Sequence, residues 1–269
     1  MSKREPALSR LGLGASRMGS FNNPQPLSAS VRLVRRAIEL GVTTIDTSNI
    51  YGQGDSERAI GRALAGGLRD QAFIVTKGGR HFSGKAQALR WLKPLIRPML
   101  RARGQGGAVT ARRGEVMGFD WSEPALISSL EGSLRRLQTD RVDGFILHSP
   151  PVEVIGPAAE QALARILASG KARYVGISCD DAAAVEAALR LPMLGMLELP
   201  INLITMASAQ ADAIAARGII VLVREVIRLR SDLAPSAAVA AALANPVTST
   251  ALIGTTREAH LAAIAMDLA

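Results

Sequence analysis

Short apolar runs with a period of two alternate along the chain with longer Ala-, Leu- and Arg-rich segments of helical period. Leu11-Gly12-Leu13-Gly14 reads as a first strand. Ser28 is placed to cap a helix reaching Leu40, in which Val31, Val34, Ala37 and Ile38 share a face, and Gly41 to stop it. Residues 42–46 form a second strand, Ser56 opens a helix over 57–65, and residues 73–76 form a third strand. Ser122-Glu123-Pro124 opens the next helix, to about Leu137, with a serine cap, an acidic first turn and a proline where no N–H is needed. Strands over 142–147, 174–177, 194–199, 219–223 and 248–253 then alternate with helices over 154–167, 182–189, 207–216, 236–244 and 257–266. Asp180 or Asp181 caps the second of these helices.

Eight strand–helix pairs imply right-handed crossovers and a parallel sheet with helices outside. Eight such units in ~250 residues predict an α/β fold, the closed (β/α)8 TIM barrel. The rival doubly wound sheet expects a glycine-rich turn after strand one. Gly12-Leu13-Gly14-Ala15-Ser16-Arg17 has Arg17 where the third glycine would stand. Residues 1–269 are expected to form one barrel domain, interrupted by a long basic insertion, 78–121, after strand three. Within it, residues 86–103 have a helical pattern broken by Pro94 and Pro98, and Gly104-Gln105-Gly106-Gly107 follows.

Composition narrows the class. Hydrophobic residues make up 48% and charged ones 20%, which excludes a disordered chain. Cys179 alone allows no internal disulfide. No apolar run approaches the ~20 residues of a spanning helix, and the first residues lack a secretory pattern, so a cytoplasmic protein is expected. The net charge of +9 raises nucleic acid or an acidic membrane surface as a partner. Its location argues against both. The insertion holds nine basic side chains against two acidic ones, and so carries +7, leaving +2 for the other 225 residues. Aromatics are only 3% and no nucleic-acid module is visible. The excess charge reads as a local field for an anionic cofactor or acidic substrate, or as a solvated loop.

Barrel chemistry gathers at the C-terminal ends of the strands. Those ends bring up Asp46 with Tyr51 five residues on, then Lys77 and His148. A free phenol titrates near ~10, too high for a good acid at neutral pH. An ammonium beside it stabilises the phenolate and is expected to lower that value. A carboxylate holds the ammonium charged, and a histidine orients a carbonyl oxygen. Each residue alone has a plain structural role open to it, as a cap, a solvated charge or a backbone partner. His81, His148 and His260 lie far apart, so no metal site is expected. Cys179 reads as a packing or cofactor-adjacent residue rather than a redox one.

At these residues the sequence resembles the aldo-keto reductase superfamily. Thr44-Ile45-Asp46-Thr47-Ser48-Asn49-Ile50-Tyr51-Gly52, Glu57 to Leu64, Thr76-Lys77, Asp140 to Asp143, Leu147-His148, Gly170 to Ser178 and Ala251 to Thr256 carry the likeness, in order. It implies a (β/α)8 barrel that binds NADP(H), or else NAD(H), and transfers hydride between nicotinamide and an aldehyde, ketone or sugar-like carbonyl or alcohol. It makes Tyr51 the general acid/base, Lys77 and Asp46 its partners, and His148 the orienting group. It places Ser16, Asp46, Ser178, Cys179, Glu198, Arg224, Gly254, Thr255, Thr256, Arg257 and His260 along the cofactor. Cys179 stands where the family has asparagine, and Glu198 where it has glutamine, so looser nicotinamide anchoring is expected. The runner-up reading is a cofactor-binding regulatory or partner protein with weak or no turnover. Trp91, Trp121, Phe82 and Phe119 of the insertion either wall a substrate pocket or form their own small cluster.

Overall fold

The computed structural model describes residues 8–20, 23, 25–82 and 117–268. Eight parallel strands close into a barrel: β1 (Leu11–Gly14), β2 (Thr44–Asp46), β3 (Phe73–Gly78), β6 (Val142–His148), β7 (Ala172–Ser178), β8 (Met196–Pro200), β9 (Ile220–Arg224) and β10 (Thr250–Ile253). Each pairs with the next, and β10 returns to β1 in parallel register, Leu11 against Ala251. This is the expected (β/α)8 barrel. Two short strands at the ends of the insertion, β4 (Arg80–Phe82) and β5 (Met117–Phe119), pair antiparallel, Arg80 opposite Phe119.

Among the described residues the α-helices are α1 (Leu27–Glu39), α2 (Asp55–Leu64), α3 (Glu123–Leu137), α4 (Pro157–Ala168), α5 (Ala182–Leu189), α6 (Ile204–Ser208), α7 (Ala211–Ala216), α8 (Val226–Leu229), α9 (Pro235–Leu243) and α10 (Glu258–Asp267). Their buried faces form one large core with outward-facing strand residues such as Ile45, Ile74, Phe145 and Val221. A second, smaller core fills the barrel itself: Phe73, Val75, Ile146, Met196, Leu222 and Leu252. The two cores are the two faces of the same strands, as period-two alternation requires. No helix among the described residues is long and apolar enough to cross a membrane.

Several boundaries differ from the sequence reading. Ser28 lies inside α1, which starts after Pro26 without a side-chain cap. Ser56 lies inside α2 and is buried. Its hydroxyl shares a hydrogen bond with Thr47 Oγ1 at 2.8 Å and donates to the Ala15 carbonyl at 3.2 Å. Both serines matched a capping pattern, but tertiary partners claimed Ser56. Asp181 does cap α5, accepting from the Ala184 amide at 2.8 Å. The helix expected from residue 154 begins at Pro157, because Gly156 is extended and proline suits a first helical turn. The helix expected over 207–216 is two pieces, α6 and α7. Ser208 bonds back to the Ile204 carbonyl at 2.9 Å and to Asn245, giving its own turn an alternative to continuing. α8 is a further short helix between β9 and α9. Trp91 and the pattern over 86–103 lie outside the described residues.

Candidate active site

The alternation that builds the barrel core also builds the site. Lys77 lies two residues beyond Val75, His148 two beyond Ile146, Glu198 two beyond Met196 and Arg224 two beyond Leu222. A step of two returns to the same face. A polar layer therefore sits directly on the apolar one at the C-terminal end of the barrel, completed by Asp46 at the end of β2. Gly144 keeps the layer below filled but unstrained, since a Cβ there would come 2.4 Å from Met196 Sδ.

Lys77 is fully buried. Its ammonium donates to Asp46 Oδ1 and, at 3.3 Å, to the Thr47 carbonyl, and it lies 3.0 Å from Glu198 Oε2. Burial works against the charge, but the two carboxylates more than offset it and hold the ammonium above its ordinary pKa. Asp46 is pushed up to about 7, by burial first and Glu198 next, against the pull of Lys77.

Tyr51 reaches this layer by a sharp bend. The residues after it, Gly52, Gln53 and Gly54, all have positive φ. Gly52 is required there, because a Cβ would sit 2.6 Å from the Met18 carbonyl. The Tyr51 ring centroid is 5.5 Å from Lys77 Nζ and 5.6 Å from that of His148, edge to face at 88°. The expected lowering of the phenol pKa is not what the site produces. Burial pushes it up, and Lys77, the largest opposing influence, does not overcome that. The physical reason is that Lys77 is already matched by two carboxylates, both of which raise the phenol.

His148 Nδ1 shares a 3.0 Å hydrogen bond with Ser48 Oγ. Burial, then Lys77, Arg80 and Arg224, hold its pKa well below the ordinary value, so the ring is neutral. Arg80 braces the same corner, donating to the carbonyls of His148 at 2.7 Å and Ser149 at 3.1 Å. Asn49 in turn donates to the Arg80 carbonyl at 2.8 Å. Ser48, Asn49 and Arg80 were not singled out from sequence. Ser48 and Asn49 lay inside the quoted motif, but Arg80 appeared only as one of the insertion's charges. The insertion's other eight basic residues lie outside the described residues.

A cleft of about 750 Å³ opens above the layer. Asp46, Tyr51, His148, Ser178, Glu198 and Arg224 line one part, and Gly14, Ser16, Arg17, Val226, Arg228 and Gly254 another. Ser149 and Glu225, also in its wall, hold positive φ, a strained geometry for non-glycine residues. Ser178 donates to Glu198 Oε1 at 2.9 Å, and Arg224 bridges Asp180, Glu225 at 2.8 Å and Glu198 at 3.5 Å. Cys179 is fully buried in the outer core and does not line the cleft. Its amide donates to the Glu198 carbonyl at 2.7 Å and its carbonyl accepts from Arg224 at 2.9 Å. Thr255, Thr256, Arg257 and His260 also lie outside the cleft lining, around the start of α10. The insertion's described aromatics divide between the two roles open to them, and Phe82 lines a second cleft of about 700 Å³ beside Asn49 and Arg80. Phe119 is exposed and stacks on Trp121, and neither they nor Phe82 line the cleft above the polar layer. Among the described residues no cluster of His, Cys, Asp or Glu could hold a metal.

Known proteins share this architecture. The sequence model of the Aldo/keto reductase family matches residues 10–225. Aldo-keto reductase YhdN of Bacillus subtilis is 30% identical over 199 residues, 72% of this chain and 50% of that protein. A 6-dehydroglucose reductase of Agrobacterium fabrum is 31% identical over 173 residues, 64% of this chain and 50% of that protein. The chain thus spans about half the length of the curated relatives it matches. A holo aldo-keto reductase structure from Bacillus halodurans superposes with a TM-score of 0.74 at 21% identity, over 97% of this chain and 87% of that one. An aldo/keto reductase of Klebsiella pneumoniae in complex with NADP and acetate gives 0.66 at 21%, over 97% and 86%. With the family's sequence pattern covering most of its length and the closed barrel beneath it, the chain belongs to the aldo/keto reductase family.

Proposed function

We propose that the chain is an NADP(H)-dependent oxidoreductase, with NAD(H) as the lesser cofactor, that acts on the carbonyl or alcohol of an aldehyde, ketone or sugar-like small molecule. The observation that carries this reading is the convergence of Asp46, Tyr51, Lys77 and His148 on one buried rim, with the Lys77 ammonium 5.5 Å from the Tyr51 ring. Bound nicotinamide supplies the hydride in reduction and accepts it in oxidation. Tyr51 gives its phenolic proton to the carbonyl oxygen as charge develops there, and takes it back in the reverse direction. Lys77, kept charged by its carboxylates, stabilises the phenolate left behind. His148 is neutral and its Nδ1 is engaged by Ser48, which leaves Nε2 to hold the substrate oxygen.

The residues present fit a dinucleotide. Arg17, Arg224 and Arg228 bring cations to the cleft. A Cβ on Gly254 would meet nothing within 4 Å, so the backbone there is open to a phosphate. Ser16, Ser178, Glu198, Arg224 and Gly254 would hold the cofactor along the cleft. Thr255, Thr256, Arg257 and His260 would take its phosphate end near the start of α10, where backbone N–H groups favour anions. Cys179 would contribute through its backbone. A relative named as a 6-dehydroglucose reductase supports a sugar-like substrate.

The test is a titration with NADPH and NADH, followed by turnover over a broad panel of carbonyls and alcohols, with Tyr51→Phe as control. Turnover that falls by about 10²–10⁴-fold in the variant, with cofactor affinity kept, is expected. Equal residual activity in both proteins, or no binding of either cofactor at millimolar concentration, refutes the reading.

A further inference from the structure

The second cleft, of about 700 Å³, is bounded by the loop between β2 and α2, by α2, by β4 and by α3. Its described walls carry four guanidinium groups from three elements: Arg58 of α2, Arg80 of β4, and Arg135 and Arg136 of α3. Asp120 is the one carboxylate among those walls. Ile50, next in sequence to Tyr51, lines the cleft too, and Arg80 lines both this cleft and the one above Tyr51. The proposed reaction uses none of the other three arginines.

These cations are fixed in place. Arg136 Nε donates to Glu57, which is fully buried, at 2.5 Å, and Arg136 Nη2 donates to Ser133 Oγ at 3.2 Å. Arg58 Nη1 donates to Asp55 at 3.2 Å and to the Gln53 carbonyl at 3.3 Å. Neither Glu57 nor Asp55 lines the cleft, so each guanidinium is held from behind. Two glycines make room for them. A Cβ on Gly54 would come 3.0 Å from both Arg136 Nε and Arg58 Nη1, so the two cations flank one point. A Cβ on Gly132 would come 3.1 Å from Arg136 Nη1. Glycine weakens a helix interior, and at Gly132, in the cleft wall, the space it leaves is taken by this guanidinium edge. Arg135, one residue before, is exposed and makes no ion pair among the described residues.

Cations gathered on one hollow repel each other, and an anion between them relieves that repulsion. Fixed guanidinium forks match the oxygens of a phosphate in pairs. Asn49 Nδ2 donates to the Arg80 carbonyl and, at 3.2 Å, to Ser129 Oγ in the same wall, which leaves the Ser129 hydroxyl hydrogen to donate to a ligand oxygen. We propose that this cleft binds the phosphate group of a phosphorylated aldehyde, ketone or sugar, whose carbonyl end reaches Tyr51 past the wall that Arg80 shares. The proposal rests on the oxidoreductase reading for its reacting end and names the substrate class of that site. The chain's own charge is of the wrong sign to fill the cleft: residues 83–116, which follow Phe82 of this wall, hold eight basic side chains and one acidic one.

Isothermal titration of the full chain with glyceraldehyde 3-phosphate and with plain glyceraldehyde, in the presence and absence of saturating NADP+, tests the site. It compares wild type, Arg58→Ala, Arg135→Ala and, as a control on overall charge, Arg190→Ala at the exposed end of α5. The phosphorylated ligand is expected to bind at least about tenfold tighter than the plain one, and to lose about tenfold in each cleft variant while Arg190→Ala stays within about twofold. In steady state with NADPH, the ratio of kcat/KM for the phosphorylated over the plain aldehyde is expected to fall about tenfold in Arg58→Ala and Arg135→Ala. Arg135 is exposed, so its variant remains readable where Arg58→Ala fails to fold. A phosphate that adds no affinity overturns the proposal, as does an affinity that survives the cleft substitutions, which places the anion elsewhere. Binding that answers to these arginines with an unchanged kcat/KM ratio in active enzyme overturns it too. If the wild type reduces no carbonyl with either cofactor, the oxidoreductase reading and the reacting end of the proposal fall, while the titration without cofactor still decides whether the cleft takes a phosphate.

Discussion

Lys77→Met is the sharpest perturbation of the polar layer, because it keeps the volume of the side chain and removes only its charge. Lys77 is fully buried, and Asp46 and Glu198 are 5% and 1% exposed. Removing one partner of a buried ion pair costs about 3–5 kcal/mol, chiefly through the charge left uncompensated. Here two carboxylates lose their shared cation, and only Glu198 retains another nearby, Arg224 at 3.5 Å. For a chain of this size such a loss lowers the melting temperature on the order of 10 °C. The stranded carboxylates will recover by taking up protons, so their folded-state pKa values rise above the unfolded ones. A raised folded value contributes stability below the unfolded pKa and loses it as pH rises. The deficit of Lys77→Met against wild type is therefore smaller near pH ~4 than near pH ~8. Adding Glu198→Gln to it removes one stranded charge and should recover part of the loss at pH ~8. Thermal melts followed by circular dichroism across this range test the chain of reasoning. A deficit below about 1 kcal/mol at pH ~8, or one that grows on acidification, refutes the view that this layer is held by charge compensation.

Other perturbations probe the same layer from different sides. Asp46 is raised from 3.8 to about 7 in the folded protein, so its ionisation costs stability as pH rises from ~4 towards 7; Asp46→Asn should flatten the wild-type stability profile over that window in pH-dependent melts, and an unchanged slope counts against the assignment. Ser48→Ala frees His148 Nδ1 and should lower kcat about tenfold while leaving cofactor affinity within twofold, measured by steady-state kinetics and cofactor titration. Arg257→Ala should reduce the preference for NADPH over NADH by about tenfold, since a 2′-phosphate gains most from a guanidinium; an unchanged affinity ratio removes Arg257 from the site. Cys179→Ala should cost about 1–2 kcal/mol of stability by leaving a small cavity, with little change in kcat, because the thiol packs in the core.

Much of the barrel was legible in the sequence because its strands and helices differ in period, and because glycines 41, 170 and 218 close helices with positive φ. The reacting residues were legible for a related reason: strand ends face the cleft, and Asp46, Lys77 and His148 are each at or beside one. Local chemistry was a weaker guide. Ser28 and Ser56 each sit at a plausible cap, and neither caps, since Ser56 is claimed by Thr47 and Ala15 from across the loop. The state of Tyr51 was misjudged for the same kind of reason. Sequence places Lys77 near the phenol, but it does not say that β8 delivers a second carboxylate to the same ammonium.

That second carboxylate also sets the charge balance of the buried layer at the reacting centre. The buried layer holds two cations, Lys77 and Arg224, and two carboxylates, Asp46 and Glu198, so it is balanced within itself. Balance is what allows four ionisable groups to sit over an apolar floor of Phe73, Val75, Ile146, Met196 and Leu222, where one unmatched charge would carry a desolvation penalty of several kcal/mol. Among the insertion's described residues Arg80 reaches the site, donating its guanidinium N–H groups to the carbonyls of His148 and Ser149. It fixes the backbone that carries the histidine, and the acid strength of the tyrosine is left to the pairing of Lys77 with Asp46 and Glu198.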